Sequence, residues 1–290
     1  MYTIIVCSIR PAEAQALKEN IEKTIGVPFE FLAYDNRNTG KGICQVYNEC
    51  ASKARYDNLC FIHEDVEFLT YDWGQIIGQK LSEKDCGVIG FIGAQMKSKK
   101  LSGWLSTHKY GIRANYIQNK DGSEIQYSTN PDNEDFSQVV TLDGLCLFSS
   151  KKTWNSIKFD SETLTKFHCY DVDYSLACHI AGLKNYVSNT VLVKHMSCGS
   201  YDEVWFKENE AFHQKWRQHL PAYITEEPYL RRLYLEYHSE KEWGELMYEI
   251  GLYNGLTFSF IVKYFMLHPL NTRSYRYLAK YLKSVFKKAD

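Results

Sequence analysis

No charge of either sign dominates this 290-residue chain, in which 34 Lys and Arg stand against 35 Asp and Glu. Without an overall positive field, nucleic acid is not expected as its main partner. Also missing is any Cys-x-x-Cys pair among the nine cysteines, which removes the usual zinc-ribbon and dithiol-redox spacings. The cysteines sit mostly inside apolar runs, the pattern of reduced core thiols. No basic leader or cleavage signal stands before "YTIIVCS" at residues 2–8. The longest apolar stretch, "GLTFSFIVKYFML" at 255–267, is too short to span a bilayer and carries Lys263. A cytoplasmic protein without a transmembrane helix is expected. Neither G-x-G-x-x-G nor G-x-x-x-x-G-K-[ST] is present, so "TGKG" at 39–42 reads as a tight loop before a helix rather than a phosphate-binding fingerprint. No internal repeat is visible.

What is present is a regular alternation of strand-like and helix-like segments, with hydrophobic residues, 44% of the chain, ample for a core. Residues 2–8 form a β-branched run, 12–24 carry Leu17 and Ile21 at helical spacing, and 29–34 return to strand. After the turn-rich "DNRNTGKG", Ile43, Val46, Tyr47, Cys50, Ala51 and Ala54 share one helix face. A strand at 58–63, a helix at 73–81 and a strand at 87–92 follow. This β-α-β-α-β order predicts a parallel, Rossmann-like sheet with ligands beyond the carboxyl ends of its strands. Residues 95–136 are polar and weakly periodic, with "NKDGSE" and "NPDNED" as turn signals, and are expected to form a functional loop or lid. Strand character returns at 139–148. "DVDYSLACHIAG" predicts a helix stopped by Gly182, and "NTVLVKHMS" a strand from which His195 emerges. Beyond Pro221 the chain turns helical and aromatic, and its last twenty residues hold Arg273, Arg276, Lys280, Lys283, Lys287 and Lys288. Two units are expected, an α/β domain over 1–222 and a helical extension over 223–290.

Four features carry possible chemistry, each beside a plainer explanation. "FIHEDVEF" at 61–68 delivers His63, Glu64 and Asp65 at the end of an apolar strand. With His195 they are the residue types a divalent cation takes while holding phosphates, or else they form a solvated acidic turn. Asp171 and Asp173 are favourable charges in the first turn of a helix, or one of them is a general base. Trp104 could stack on a sugar face, or be merely exposed. The basic aromatic tail could lie on an anionic membrane surface, or be a solvated helix face.

Taken in order, "CFIHEDVEF", "LDGLCLFSSKKTW", "FHCYDVDYSLACHIAGLKNYV", "VLVKHMSCGS" and "WFKENEAFHQKWRQHLP" resemble the family-2-like glycosyltransferases of the GT-A fold over roughly residues 1–222. The resemblance implies a Rossmann-like mixed sheet flanked by helices. It implies transfer of a sugar, of the hexosyl kind, from a nucleotide diphosphate donor to a hydroxyl on a saccharide or lipid-linked acceptor, with Mn2+ or Mg2+, in surface polysaccharide or glycoconjugate synthesis. By position, Asp65 looks like the metal-binding acid, Asp35 like the residue meeting the nucleotide base, and Asp171 like the catalytic base of an inverting reaction. Ser8, Asp143 and Gly144 lie where such enzymes approach the donor, and His195 matches a histidine completing the metal and diphosphate site. The common Asp-x-Asp is here His63-Glu64-Asp65, leaving open which neighbour assists Asp65. The usual Glu-Asp pair is Tyr170-Asp171, with Asp173 in support. Two other readings stand beside transfer: a sugar nucleotidyltransferase, for which "CSIRPAEAQ" lacks the Gly-rich basic signature, and a non-catalytic nucleotide-sugar or carbohydrate-binding protein, which the altered acid motif favours.

Overall fold

The alternation expected for the first ninety residues is present almost residue for residue in the computed structural model, which describes residues 1–103, 111–120, 122–197, 199, 201–249 and 258–286. Trp104, Lys287 and Lys288 lie outside the described residues. The order begins β1 (Tyr2–Ser8), α1 (Pro11–Thr24), β2 (Phe29–Asp35), α2 (Ile43–Lys53), β3 (Asn58–Ile62), β4 (Val66–Phe68), α3 (Trp73–Leu81) and β5 (Cys86–Gly90). It continues with β6 (Ile92–Ala94), β7 (Met96–Lys97), β8 (Ile112–Lys120), β9 (Ser123–Thr129), β10 (Phe136–Val139), β11 (Thr141–Leu142) and β12 (Cys146–Ser150). Then come α4 (Lys151–Ser156), α5 (Tyr170–Ile180), β13 (Lys184–Ser188), β14 (Val193–His195), α6 (Glu203–Trp216) and β15 (Ala222–Tyr223). The helices α7 (Tyr229–Glu249), α8 (Phe258–Leu267) and α9 (Thr272–Phe286) complete the described order.

The main sheet runs β10-β13-β5-β12-β3-β1-β2. β1 is parallel to β2 and β3, whereas β12 is antiparallel to β3 and β5, so the sheet is mixed rather than wholly parallel. Successive residues of β1 enter opposite layers: Ile5 packs with Val46, Tyr47 and Leu176, while Ile4 and Val6 pack with Leu17, Ile21 and Trp73. This period-2 burial is why an apolar run such as 2–8 is covered by helices on both faces. Each fully buried large apolar side chain contributes roughly 1.5–3 kcal/mol.

Two expectations are corrected. The stretch 139–148 is not one strand, because Asp143 interrupts it: its Oδ1 accepts the backbone N–H of Leu145 at 3.0 Å and turns the chain. Residues 95–136 are not a structureless loop, since β8 and β9 form a hairpin within a second sheet ordered β11-β6-β8-β14-β4. The polar residues that suggested a loop are satisfied inside the sheet. Asn115 Nδ2 donates to Val191 O at 2.8 Å, and Tyr116 stacks on its cross-strand partner Tyr127 at 5.1 Å. Gly122, at φ 79°, supplies the left-handed residue of the turn.

The C-terminal helices rest on α6. Trp205 and Trp243 stack with ring centroids 5.7 Å apart, and Met247, Phe260, Tyr264 and Tyr277 bury around them. Gly244 is required there, since a Cβ would lie 2.2 Å from the Phe260 ring. Among the described residues no helix is long and apolar enough to cross a membrane.

Candidate active site

The parallel pairing of β1 with β2 and β3 brings Ser8, Asp35 and the residues after Ile62 to one edge of the sheet. Beside that edge lies a cleft of about 580 Å³, lined among others by Arg10, His63, Asp65, Asp143, Asp171 and His195. Five separate segments supply these six side chains.

Glu64 turns away from the other acids. Its carboxylate accepts the Ser8 hydroxyl at 2.5 Å, the Arg10 N–H at 3.0 Å and the Arg10 Nε at 3.2 Å. It therefore ties the loop after β1 to the end of β3, and Ser8 is occupied in the same clamp. His63 donates or accepts through Nε2 with the Tyr170 hydroxyl at 2.7 Å, and that hydroxyl also reaches Gly144 O at 3.0 Å. Burial, and next the neighbouring His195, push the His63 imidazole down to about 4, which keeps it neutral and able to act as a ligand.

His195 reaches the site because β14 pairs antiparallel with β4, setting His195 opposite Val66. Its Nε2 lies 3.5 Å from Asp65 Oδ1, and Arg10 approaches Asp65 Oδ2 at 3.6 Å. Burial opposes ionisation of Asp65, but His195, Ser197 and His63 outweigh it and hold the carboxyl well below the usual range. His63, Asp65 and His195 offer one ligand atom each, all within 4.8 Å of one another. Asp65 Oδ2 and His195 Nε2 are buried and make no hydrogen bond. Orphaned buried polar atoms are costly, so two of them in one imidazole–carboxylate group fit a divalent cation.

Asp171 lines the same cleft from the first turn of α5, behind Cys169 in the left-handed region at φ 59°. Burial, and next the charge of Asp143, push its carboxyl up to about 7 against backbone N–H groups of Val172, Asp171 and Gly144 that favour the anion. Gly144 permits this approach, because a Cβ there would lie 2.1 Å from the Tyr170 hydroxyl and 3.1 Å from Asp171 Cβ. Asp173 faces elsewhere: it accepts Lys215 Nζ at 2.7 Å and Trp216 Nε1 at 2.7 Å, anchoring α6 to α5. Asp35 is exposed at the same sheet edge, paired with Arg37 at 2.6 Å and held by it down to about 2; its neighbour Asn36, not Asp35, lines the cleft.

A family profile described as "Glycosyltransferase like family" matches residues 3–219. The chain belongs to this glycosyltransferase-like family. The ordered motifs thus pointed to the right family over nearly the matched range, and the α/β architecture with its mixed sheet and C-terminal helices is as expected. Many solved structures align with this glycosyltransferase-like chain, two of which follow. "Crystal structure of GalNAc-T7 with UDP, GalNAc and Mn2+" has a TM-score of 0.49 at 10% identity, covering 69% of this chain and 43% of that one. The chain therefore spans less than half of that protein. "Crystal Structure of A197 from STIV" has a TM-score of 0.38 at 14% identity, covering 68% of this chain and 86% of that one. No curated protein matches in sequence.

The glycosyltransferase-like cleft also holds residues that sequence reasoning passed over: Arg10, Tyr116, Gln118, His168, Tyr201 and Trp205. Arg10 had a readable signal, a cation directly after the first strand and before the Pro11 helix start. Gln118 and Tyr116 had none, because β8 was hidden in polar sequence.

Proposed function

We propose that this chain is a metal-dependent inverting glycosyltransferase that moves a hexosyl group from a nucleotide diphosphate donor to a hydroxyl of a saccharide or lipid-linked acceptor. One observation carries the reading: a buried carboxyl with raised proton affinity, Asp171, shares a cleft with the His63–Asp65–His195 group. A general base works best when its pKa lies near the working pH, and burial beside Asp143 supplies that. His63, Asp65 and His195 would hold Mn2+ or Mg2+, and a cation bound there supplies positive charge against the leaving diphosphate.

The chain's own residues account for the rest. Asp171 takes the proton of the acceptor hydroxyl as that oxygen bonds to the anomeric carbon and the bond from that carbon to the diphosphate oxygen breaks. Arg10, positioned by Glu64, offers its guanidinium to donor phosphate oxygens. Tyr170 fixes the His63 ring and, through Gly144, the backbone beside Asp171. Opposite faces for base and leaving group produce inversion.

Calorimetric titration of nucleoside diphosphates, with and without Mn2+, tests the binding half. Wild type should bind in a Mn2+-dependent way, and Asp65→Ala should lose at least tenfold in affinity, because His63 and His195 without the carboxylate hold a divalent cation more weakly. Equal affinity for the two proteins removes Asp65 from the site.

A further inference from the structure

Helices α8 and α9 carry apolar surface that does not face the rest of the molecule. On α8, Phe260, Ile261 and Tyr264 are buried against the core around Trp243. Phe258, Val262 and Met266 recur at i, i+4 and i+8 on the other side and are exposed, Met266 by 74%. Apart from Lys263, which pairs with Glu240 at 3.4 Å, and Ser259, α8 is apolar on both its buried and its exposed side, and such a second apolar side suits a nonpolar medium. Just past it Leu270 is 95% exposed.

On α9, Ser274 and Tyr277 are buried, while Tyr275, Leu282 and Phe286 fall on a second, exposed stripe. Arg276 and Lys283, seven residues apart, form a third stripe about 90° round the helix from the exposed apolar one. Phe265 and Tyr275, with ring centroids 5.3 Å apart, join the two helices. Charge follows the same division. Residues 250–289 contain seven Lys or Arg and no Asp or Glu, although the whole chain is nearly neutral. Some of these cations are spent within the fold, Arg273 on Glu245 at 3.1 Å and Lys280 over the Tyr248 ring at 4.0 Å. Arg276 and Lys283 stand outside those contacts.

We infer that the exposed face of α8 and α9 docks on an anionic lipid bilayer, with Met266, Leu270 and Phe286 entering the interface and Arg276 and Lys283 meeting the headgroups. Apolar side chains flanked by cations match both layers of such a surface. A second copy of the chain would cover the apolar stripe but set like charges against each other across a two-fold axis. The inference stands independently of the transfer reading.

Flotation of the full chain with vesicles of phosphatidylcholine, alone or mixed with phosphatidylglycerol, tests the inference. Binding to the anionic vesicles only, weakened by salt, is expected. The double variant Arg276→Gln/Lys283→Gln should partition roughly 25-fold less, about fivefold per cation. Met266→Ser/Phe286→Ser should also bind less, with circular dichroism confirming that each variant is folded. Absence of binding by folded wild type, or equal binding by the folded charge variant, overturns the inference. So does vesicle-free self-association in sedimentation velocity that Met266→Ser/Phe286→Ser abolishes, which assigns the face to a second copy.

Discussion

Asp171→Asn should stabilise the protein and disable it at once. The carboxyl moves from 3.8 to about 7 on folding, chiefly through burial and then through Asp143. The folded chain therefore holds this proton more tightly than the unfolded chain. Between pH 4 and 7 the unfolded chain releases it while the folded chain does not, so this group's contribution to stability is full below pH 4 and is lost as pH rises through about 7. At pH 8 the loss amounts to at most about 4 kcal/mol. A neutral Asn escapes it, so the variant should gain up to that amount at pH 8 and nothing at pH 4, read by urea unfolding at both pH values. The same ionisation sets the wild-type rate: transfer should fall about tenfold per pH unit below pH 7. Single-turnover transfer by Asp171→Asn should be two to four orders of magnitude slower at pH 8, with donor affinity kept. A variant that is less stable at pH 8 and equally fast would refute the assignment, leaving Asp171 as an ordinary helix-start charge.

Asp173→Asn is the matched control: it weakens the Lys215 and Trp216 anchor, should cost about 2 kcal/mol in urea unfolding, and should change the single-turnover rate less than threefold. Glu64→Gln should leave Ser8 and the Arg10 backbone with weaker acceptors, costing about 1–3 kcal/mol by the same unfolding measurement. It should also raise the KM for donor more than it lowers kcat, because Arg10 loses the partner that aims it.

The site was legible where local pattern decides position. An apolar run ending in three ionisable residues marks a strand end, and the helix starting near Asp171 announced itself by periodicity and its Gly182 stop. The roughly 200° between Asp171 and Asp173 also follows from helix geometry, and the structure sends Asp173 to Lys215. What stayed hidden depends on long-range pairing. Nothing in "HED" tells that Glu64 clamps Ser8 and Arg10 while Asp65 meets His195, because the difference arises from how the loop after β1 folds over β3. The second sheet was unreadable for the same reason: Asn115 and Gln118 look like loop residues until β14 and the residues leading into it provide their neighbours, His195 O and Val191 O. The exposed apolar side of α8 could not be told from a core side by composition, since both read as one apolar run.

The most direct test follows the products. The chain is incubated with a panel of nucleotide sugars and Mn2+, nucleoside diphosphate release is measured, and the anomeric configuration of the transferred sugar is read by NMR. The account predicts release that stops on chelation, product of inverted configuration, and loss of release but not of donor binding in Asp171→Asn. Formation of nucleoside triphosphate and sugar 1-phosphate when pyrophosphate is added to the same incubation would make the chain a nucleotidyltransferase, and metal-dependent binding with no release from any donor would make it a binding protein; either result contradicts the account.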